Sequence, residues 1–418
     1  MSKIERYAKE KELKEIEPRP RKYNLFLVLF MGLISQMDQY LSLVETVAID
    51  GIINEFPVSP SQFAFWQGIF GFLTLSVFFL SFFADRYGRK KGILGLILLM
   101  GVPTIFVVFF STNFFVFMLF YAIIITGTLS NMWELPIVEE SDPQKRGTYG
   151  GIAYLIGLIP LYVIFGSIII NLLGWRWTYG IMMFYMVIMI ILWTRMKETK
   201  IWTRTSEEHK GELLNLKDAF KSLKKKDLKY VAINTVVYTI WTISFKIGVT
   251  WIGYYFQTIQ GVDAGTFTIY LLVASLMTIV GALTAGILLD KVGRNFTLAF
   301  GCIGAAIGYI FIGIIPSPIF MWMIYLFMPI LLTWIMIYFS EIFPTRVRST
   351  ATGISVTGSR FGYVFGPLIA SLLILIFPDF SGLWISAGIF MLIPLLSLGI
   401  KPYETKGQSL DEIQAQRD

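Results

Sequence analysis

Charge, histidine and cysteine are scarce in this chain of 418 residues. Lys, Arg, Asp and Glu together make up 15% of it, whereas a soluble domain carries roughly 25%. Histidine and cysteine occur once each, as His209 and Cys302. A lone cysteine cannot form an internal disulfide, and a lone histidine in a charged stretch supplies neither a metal cluster nor a Ser-His-Asp triad. The sequence therefore predicts no catalytic residues, no metal and no cofactor, and argues against an enzyme.

Two further absences limit the function. There is no phosphate-binding loop of the form G-x-x-x-x-G-K-[ST], so nothing in the chain predicts nucleotide hydrolysis. The first 22 residues are strongly charged and lack the apolar stretch of a signal peptide. Any transport against a concentration gradient must then draw on another gradient.

Apolar residues, by contrast, make up 55% of the chain. Several charge-free runs, such as 92–111 and 271–289, approach the roughly 20 residues that cross a bilayer as a helix. We therefore predict an all-α polytopic membrane protein in the lipid bilayer. Its twelve spans are expected at 24–45, 62–83, 92–111, 114–138, 148–173, 175–195, 229–256, 266–289, 296–315, 319–340, 350–377 and 380–400.

Basic residues fix the orientation. With the N-terminus inside, 32 of the 35 Lys and Arg residues fall in inner segments, as the positive-inside rule requires. This places both termini in the cytoplasm and predicts a multi-pass protein of the cell membrane. The basic surface then faces anionic lipid and needs no nucleic acid as partner.

The spans form two sets of six. We expect an inner N-terminal segment at 1–23, a first six-helix bundle at 24–195, a second at 229–400 and an inner tail at 401–418. The segment between the bundles, 196–228, contains an amphipathic stretch that predicts either helices on the membrane surface or a solvated linker.

Two loop motifs occur twice, at matching places in the two sets of spans. The first recurs after 205 residues and the second after 201. Such a parallel repeat is typical of transporters whose site lies between the halves at mid-membrane. The residues of the two motif pairs are Asp85, Arg86, Gly88 and Arg89 with Asp290, Gly293 and Arg294, and Glu140 and Arg146 with Glu341 and Arg348.

These motifs resemble those of the major facilitator superfamily over essentially the whole chain. The loop D-R-x-G-R-[RK]-[RK] at Asp85 is the hallmark. The motif from Glu341 to Arg348 is similar to that of aromatic-acid:proton symporters, organic-ion carriers and synaptic-vesicle-2-like proteins, and the tail around Glu404 is similar to sugar porters. The resemblance implies two pseudo-symmetric six-helix bundles that rock around a central site, with the motif residues as a cytoplasmic gate. We expect a monomer.

Five ionisable residues fall within the predicted spans or at their edges: Asp38, Glu45, Glu134, Lys246 and Arg360. An ionised side chain at the bilayer centre costs at least about 2.5 kcal/mol, so each must face water or a partner. In the superfamily that the chain resembles, spans 1, 4, 7 and 10 line the central cavity. We therefore expect these charges to face that cavity.

Arg360 cannot lose its proton and requires an anion. In the organic-ion carriers that the chain resembles, the matching position tends to be basic in anion carriers, which favours a carboxylate substrate; a purely structural ion pair is the alternative. Asp38 resembles the span-1 aspartate of proton-coupled carriers and is the proposed proton site, or else it only compensates a basic neighbour.

Glu134 could assist proton coupling and pair with Lys246 or Arg360. Glu45 is expected as a charge at the outer interface, with an outer relay as the alternative. The remaining candidates for substrate binding are amides and aromatic residues on spans 1, 2, 4 and 7, each of which could instead serve packing. With Arg360 and Lys246, this predicted set comprises Gln39, Gln67, Asn131, Trp251, Tyr254 and Tyr255.

The first hypothesis is therefore a proton-coupled symporter of a small organic anion. The alternative is a proton-coupled sugar or polyol porter, in which Arg360 would be structural. A membrane sensor on the same fold is the third.

Overall fold

The computed structural model describes residues 19–130, 132–141, 146–200, 202–203, 223, 225–343, 348–399 and 404–406. Within these residues eleven helices are long and apolar enough to cross a membrane, and a shorter apolar helix, Phe114–Gly127, stands in the fourth place. The predicted N-terminal segment, linker and tail lie largely outside the described residues.

We number the spans in chain order. Spans 1 to 6, with residues 19–200, form the first half, and spans 7 to 12, with residues 225–406, form the second half. The spans of the first half are Arg21–Leu43 continued by Glu45–Glu55, Pro60–Tyr87, Arg89–Phe109, Phe114–Gly127 continued by Glu134–Glu140, Thr148–Leu173 and Trp175–Arg195.

The spans of the second half begin and end within a few residues of the sequence prediction. They are Lys225–Ile259, Ala264–Lys291, Arg294–Ile314, Pro318–Glu341, Ala351–Ile376 and Ser381–Gly399. Their starts follow from local chemistry. Span 8 is capped by the Asp263 carboxylate, which accepts from Thr266 N, and span 10 starts with Ser317 as cap and Pro318 in its first turn.

Span 1 is longer than predicted. A second helix, Glu45–Glu55, follows the first after Val44, so Asp50 and Glu55 lie on a helix and not in an outer loop. Glu45 is 2% exposed. The prediction that Glu45 is an interfacial charge is therefore wrong, because this second helix packs between the outer parts of spans 5, 6 and 7.

Spans 4 and 11 are interrupted near their middles. Span 4 leaves the helix at Thr128 and resumes at Glu134, and Leu129 has a φ of 52°. Span 11 is interrupted between Ser359 and Gly362, with Arg360 in the gap. Discontinuous spans are tolerated at this depth only where other protein groups bind the released peptide groups.

The two halves meet mainly through the segments farthest from the basic loops, which we call the outer side. Among the described elements, Pro60–Gly71 of span 2 packs on Gly362–Ile376 of span 11, and Glu45–Glu55 of span 1 packs on Ile252–Tyr254 of span 7. Leu161–Leu173 of span 5 packs on span 8. The structure is closed on its outer side.

Candidate functional site

A central cavity lies between the two halves, and the space among its lining atoms, including the part open to solvent, is about 590 Å³. Its walls come from spans 1, 4, 5, 7, 8 and 10, which includes all four spans expected there. The described residues that line it include no Lys, Arg, Asp or Glu. Its polar and aromatic side chains are Gln39, Ser42, Tyr154, Trp241, Phe245, Thr278 and Tyr325.

Two stacked rings of span 7 form an aromatic wall of this cavity. The rings of Trp241 and Phe245 stack with centroids 5.4 Å apart and planes 9° apart. Trp241 Nε1 donates to the carbonyl oxygen of Met328 at 3.1 Å, so its indole N–H is satisfied and the ring orientation is fixed. Gln39 on span 1 and Thr278 on span 8 bring an amide and a hydroxyl from opposite halves.

Asp38 lies behind the cavity wall and binds the interruption of span 4. It is 1% exposed. Its Oδ1 accepts from the backbone N–H of Leu129 at 2.7 Å and from Ser42 Oγ at 3.3 Å. Both Leu129 and Ser42 line the cavity. Asp38 thereby holds a residue of left-handed backbone conformation that is unfavourable for leucine without such support.

Arg360 binds the same interruption from the second half. Its two terminal nitrogens donate to the carbonyl oxygens of Thr128 at 2.6 Å and Ile125 at 3.3 Å. These carbonyls lie where span 4 unwinds. Arg360 is 1% exposed and is not among the residues that line the cavity. Its position as a substrate anchor is therefore not supported by the geometry.

A second group of four side chains joins the halves farther outward. Lys246 Nζ lies 3.1 Å from Glu45 Oε2. Tyr121 Oη donates to the same oxygen at 2.6 Å, and Gln67 Nε2 contacts both Glu45 Oε1 and Tyr121. Gln67, Tyr121 and Lys246 also line a second, much smaller cavity.

Neither of the two partners that the sequence leaves open for Glu134 pairs with it among the described residues, because Lys246 binds Glu45 and Arg360 binds carbonyl oxygens of span 4. Lys246 points to Glu45 because both lie where spans 1 and 7 cross, 201 residues apart in sequence. Glu134 begins the second helix of span 4 and is partly exposed; among the described residues it forms no ion pair. Asn131 lies outside the described residues.

The span-7 aromatic candidates Trp251, Tyr254 and Tyr255 do not lie on the cavity wall. They lie among the contacts that close the outer side, which we call the outer closure. Trp251 is fully buried and packs edge-on against Phe63 of span 2, with centroids 5.9 Å apart. Tyr254 packs on Trp251 and Phe380, and Tyr255 Oη donates to the carbonyl oxygen of Ile312 at 3.2 Å. None of the three lines either cavity.

The repeated loop motifs form matching ion pairs on the basic side. Arg89 Nε lies 2.9 Å from Glu139 Oε1 and its Nη1 contacts Asp85. In the second half, Arg294 Nη2 lies 2.6 Å from Glu341 Oε1. Arg86 and Asp290 are exposed.

Glu140 and the two motif glycines have other roles. Glu140 pairs with Arg19 at 2.7 Å, while the side chains of Arg146 and Arg348 lie outside the described part of the chain. Gly88 and Gly293 have φ of 112° and 124°, a conformation that only glycine adopts without strain.

A third sequence repeat lies next to the Arg89 and Arg294 ion pairs. The sequence Glu-Thr-Lys occurs at 198–200 and again at 404–406. Glu198 accepts from the backbone N–H of Lys90 at 3.1 Å, and Glu404 accepts from that of Arg294 at 2.8 Å. Each carboxylate thus caps the N-terminus of span 3 or span 9, where the helix dipole favours a negative charge.

The sequence profile of the Major Facilitator Superfamily matches residues 28–337. The chain belongs to this superfamily. Its fold is likewise that of the xylose transporter XylE from E. coli in an inward open conformation, with a TM-score of 0.72 at 17% identity over 94% of this chain and 100% of that one. The protein is therefore an all-α, multi-pass secondary transporter of small molecules and not an enzyme.

Superfamily members of known cargo resemble it to different extents. The glucose transporter GlcP of Staphylococcus epidermidis is 26% identical over 79% of this chain and 83% of its own. The arabinose-proton symporter of Bacillus subtilis is 29% identical over 80% and 82%. The cis,cis-muconate transport protein of Acinetobacter baylyi is 32% identical over only 28% and 29%. The comparisons thus favour the sugar alternative over the organic-anion hypothesis.

Sequence reasoning missed several residues that superfamily architecture brings together. Tyr121 on span 4 has no sequence signal, because nothing local links it to a charge on span 7. Tyr154, Thr278 and Tyr325 are ordinary residues of apolar spans until the fold places them on one cavity. The Glu-Thr-Lys repeat, in contrast, is visible in the sequence at a separation of 206 residues.

Proposed function

We propose that this transporter imports a neutral sugar or polyol together with protons. The observation that carries the proposal is the uncharged lining of the central cavity, with amide, hydroxyl and aromatic groups. A sugar offers hydroxyl groups for such partners and an apolar ring face for the stacked Trp241 and Phe245. A carboxylate would lose its hydration there without a cation to replace it. The full-length relatives that carry sugars support the same choice.

The competing substrate class is an organic anion, favoured by the local likeness to the muconate carrier. It would require Arg360 to leave the carbonyl oxygens of Thr128 and Ile125. That exchange would strip the interrupted span 4 of two buried hydrogen bonds, each to a charged donor and worth about 1.5–3 kcal/mol. We therefore assign Arg360 to the support of span 4.

A binding screen tests the substrate class directly. Purified protein is heated with sugars, polyols and carboxylates in turn, since a ligand at 100 times its Kd stabilises the folded state by about 2.7 kcal/mol. We expect stabilisation by a neutral sugar or polyol. Gln39→Ala should weaken it, whereas Gln260→Ala, an exposed amide of the outer loop, should not. Stabilisation by carboxylates alone would overturn the proposal.

We further propose that Asp38 takes up the coupled proton. An ionised acceptor forms a stronger hydrogen bond than a neutral one, so protonation loosens the hold of Asp38 on Leu129 and Ser42, both on the cavity wall. Substrate and proton then alter each other's binding by the same factor. Glu134, at the other end of the interruption, is the proposed second acid of this route.

Asp38→Asn separates coupling from binding. The variant should keep substrate counterflow in proteoliposomes and lose accumulation driven by a proton gradient. Asp263→Asn is the matched control, because Asp263 is exposed and asparagine caps a helix about as well as aspartate. Full accumulation by Asp38→Asn would refute the role of Asp38.

A further inference from the structure

The Glu45–Lys246 ion pair is a buried layer of the outer closure, farther outward than the contacts of Arg360 with span 4. Both side chains are 2% exposed, and they come from opposite halves. The next layer outward uses backbone carbonyl groups: Thr46 Oγ1 donates to the carbonyl oxygen of Val249 at 3.5 Å, and Gly253 packs directly on the carbonyl oxygen of Thr46. Opening the outer side must therefore separate the pair.

The first half holds Glu45 in position before Lys246 arrives. Tyr121 uses its one proton for Glu45 at 2.6 Å and accepts from Gln67 Nε2 at 2.9 Å. Lys246 Nζ then donates to the second lone pair of Tyr121 at 3.2 Å, which satisfies every bonding position of that hydroxyl. Lys246 also lies 5.3 Å from the ring centre of Tyr363. The ammonium thus enters a preformed acceptor site.

Removal of one charge has a different consequence from removal of both. A buried ion pair contributes little net stability, but a single buried charge without its partner is strongly unfavourable. When the halves separate on the outer side, water reaches both groups and each can remain ionised alone. One remaining charge therefore favours the open state, whereas two opposite charges or none permit closure.

We propose that Glu45 and Lys246 are a charge-compensation latch: positioning residues that let the outer side close only when the pair is neutral as a whole. They act without touching substrate in the central cavity. The proposal requires the halves to alternate, as in any transporter of this superfamily, and does not depend on the substrate being a sugar.

The test measures access from the outside. Ser61, on span 2, donates to the carbonyl oxygen of Ser371 on span 11 at 2.9 Å in the closed state. In a Cys302→Ala background, Ser61→Cys is treated with a membrane-impermeant maleimide in intact cells. We expect Glu45→Gln and Lys246→Met each to raise the labelling rate about tenfold or more, since tenfold corresponds to only about 1.4 kcal/mol. The double variant should label at nearly the parental rate.

A matched control distinguishes this latch from a general effect of lost charge. Glu55 and Arg176 also form an ion pair near the outer surface, but both belong to the first half. Glu55→Gln and Arg176→Met should therefore leave the labelling rate of Ser61→Cys unchanged. A rise equal to that of the Glu45 variant would overturn the proposal.

Two further variants keep the test decisive: the double variant, which removes both charges, and a variant in which the two charged residues are exchanged. If either single variant fails to fold, Glu45→Lys with Lys246→Glu should restore both folding and slow labelling. Unchanged labelling in folded single variants, or fast labelling in the double variant and in the exchanged pair, would overturn the latch. Labelling needs no substrate, so a failed sugar screen leaves this result intact.

Discussion

Replacing Gly253 with alanine should hold the transporter open on its outer side. A Cβ at this position would lie 1.8 Å from the carbonyl oxygen of Thr46, in the other half. Within its own half the nearest neighbour of the same Cβ is Phe267, at 3.6 Å, an ordinary contact. The second half thus accommodates alanine, and the closed interface does not.

The magnitude follows from the distance. Real Cβ atoms essentially never approach another atom closer than 3.0 Å, so spans 1 and 7 must separate by about 1.2 Å at this point. The obstacle is backbone, which cannot turn aside as a flexible side chain can. Overpacking of this kind costs about 1–3 kcal/mol, which changes the ratio of open to closed molecules by about 5- to 150-fold.

Outer labelling of Ser61→Cys with a membrane-impermeant maleimide measures the change. Gly353→Ala is the control, since no described atom lies within 4 Å of a Cβ there. We expect faster labelling and slower transport for Gly253→Ala, with a normal melting temperature. Parental labelling and transport in Gly253→Ala would refute the assignment of this contact to the outer closure.

Three further substitutions test the residues that support the interrupted span 4 and the N-termini of spans 9 and 3. Arg360→Lys should lower the melting temperature, because a lysine ammonium cannot reproduce the paired donation to Thr128 and Ile125. The sugar that competes best should stay the same, and a changed sugar preference in competition assays would contradict a supporting role. Glu404→Gln should destabilise the protein by about 0.3–1 kcal/mol, the value of a negative charge at a helix N-terminus, and Glu198→Gln should do the same. Thermal unfolding checks both, and unchanged melting temperatures would contradict the capping role.

The architecture could be predicted from the sequence because a bilayer demands long apolar helices and places basic loops on one side. Eleven spans are therefore found near their predicted bounds. The interruption of span 4 was not predicted, since its unwinding depends on Asp38 and Arg360, which lie 91 and 232 residues from the peptide groups they bind.

The candidate site was predictable only in part. Mid-membrane charges are conspicuous in a sequence so poor in charge, and they led to Asp38, Lys246 and Arg360. Which charge meets which is a tertiary property, so the partner of Glu134 stays open between Lys246 and Arg360 in the sequence, and the pairing of Lys246 with Glu45 is not predicted. The cavity wall was harder still, because Tyr154 and Tyr325 look like ordinary span residues until two helices bring them together.

The central claim is that a neutral sugar or polyol enters together with a proton. It is tested most directly by adding such solutes to lightly buffered proteoliposomes, held at zero membrane potential, while the external pH is recorded. The account predicts alkalinisation outside on addition of a sugar or polyol that the protein binds, and its loss in Asp38→Asn. Proton movement with a carboxylate and none with any sugar or polyol would contradict it.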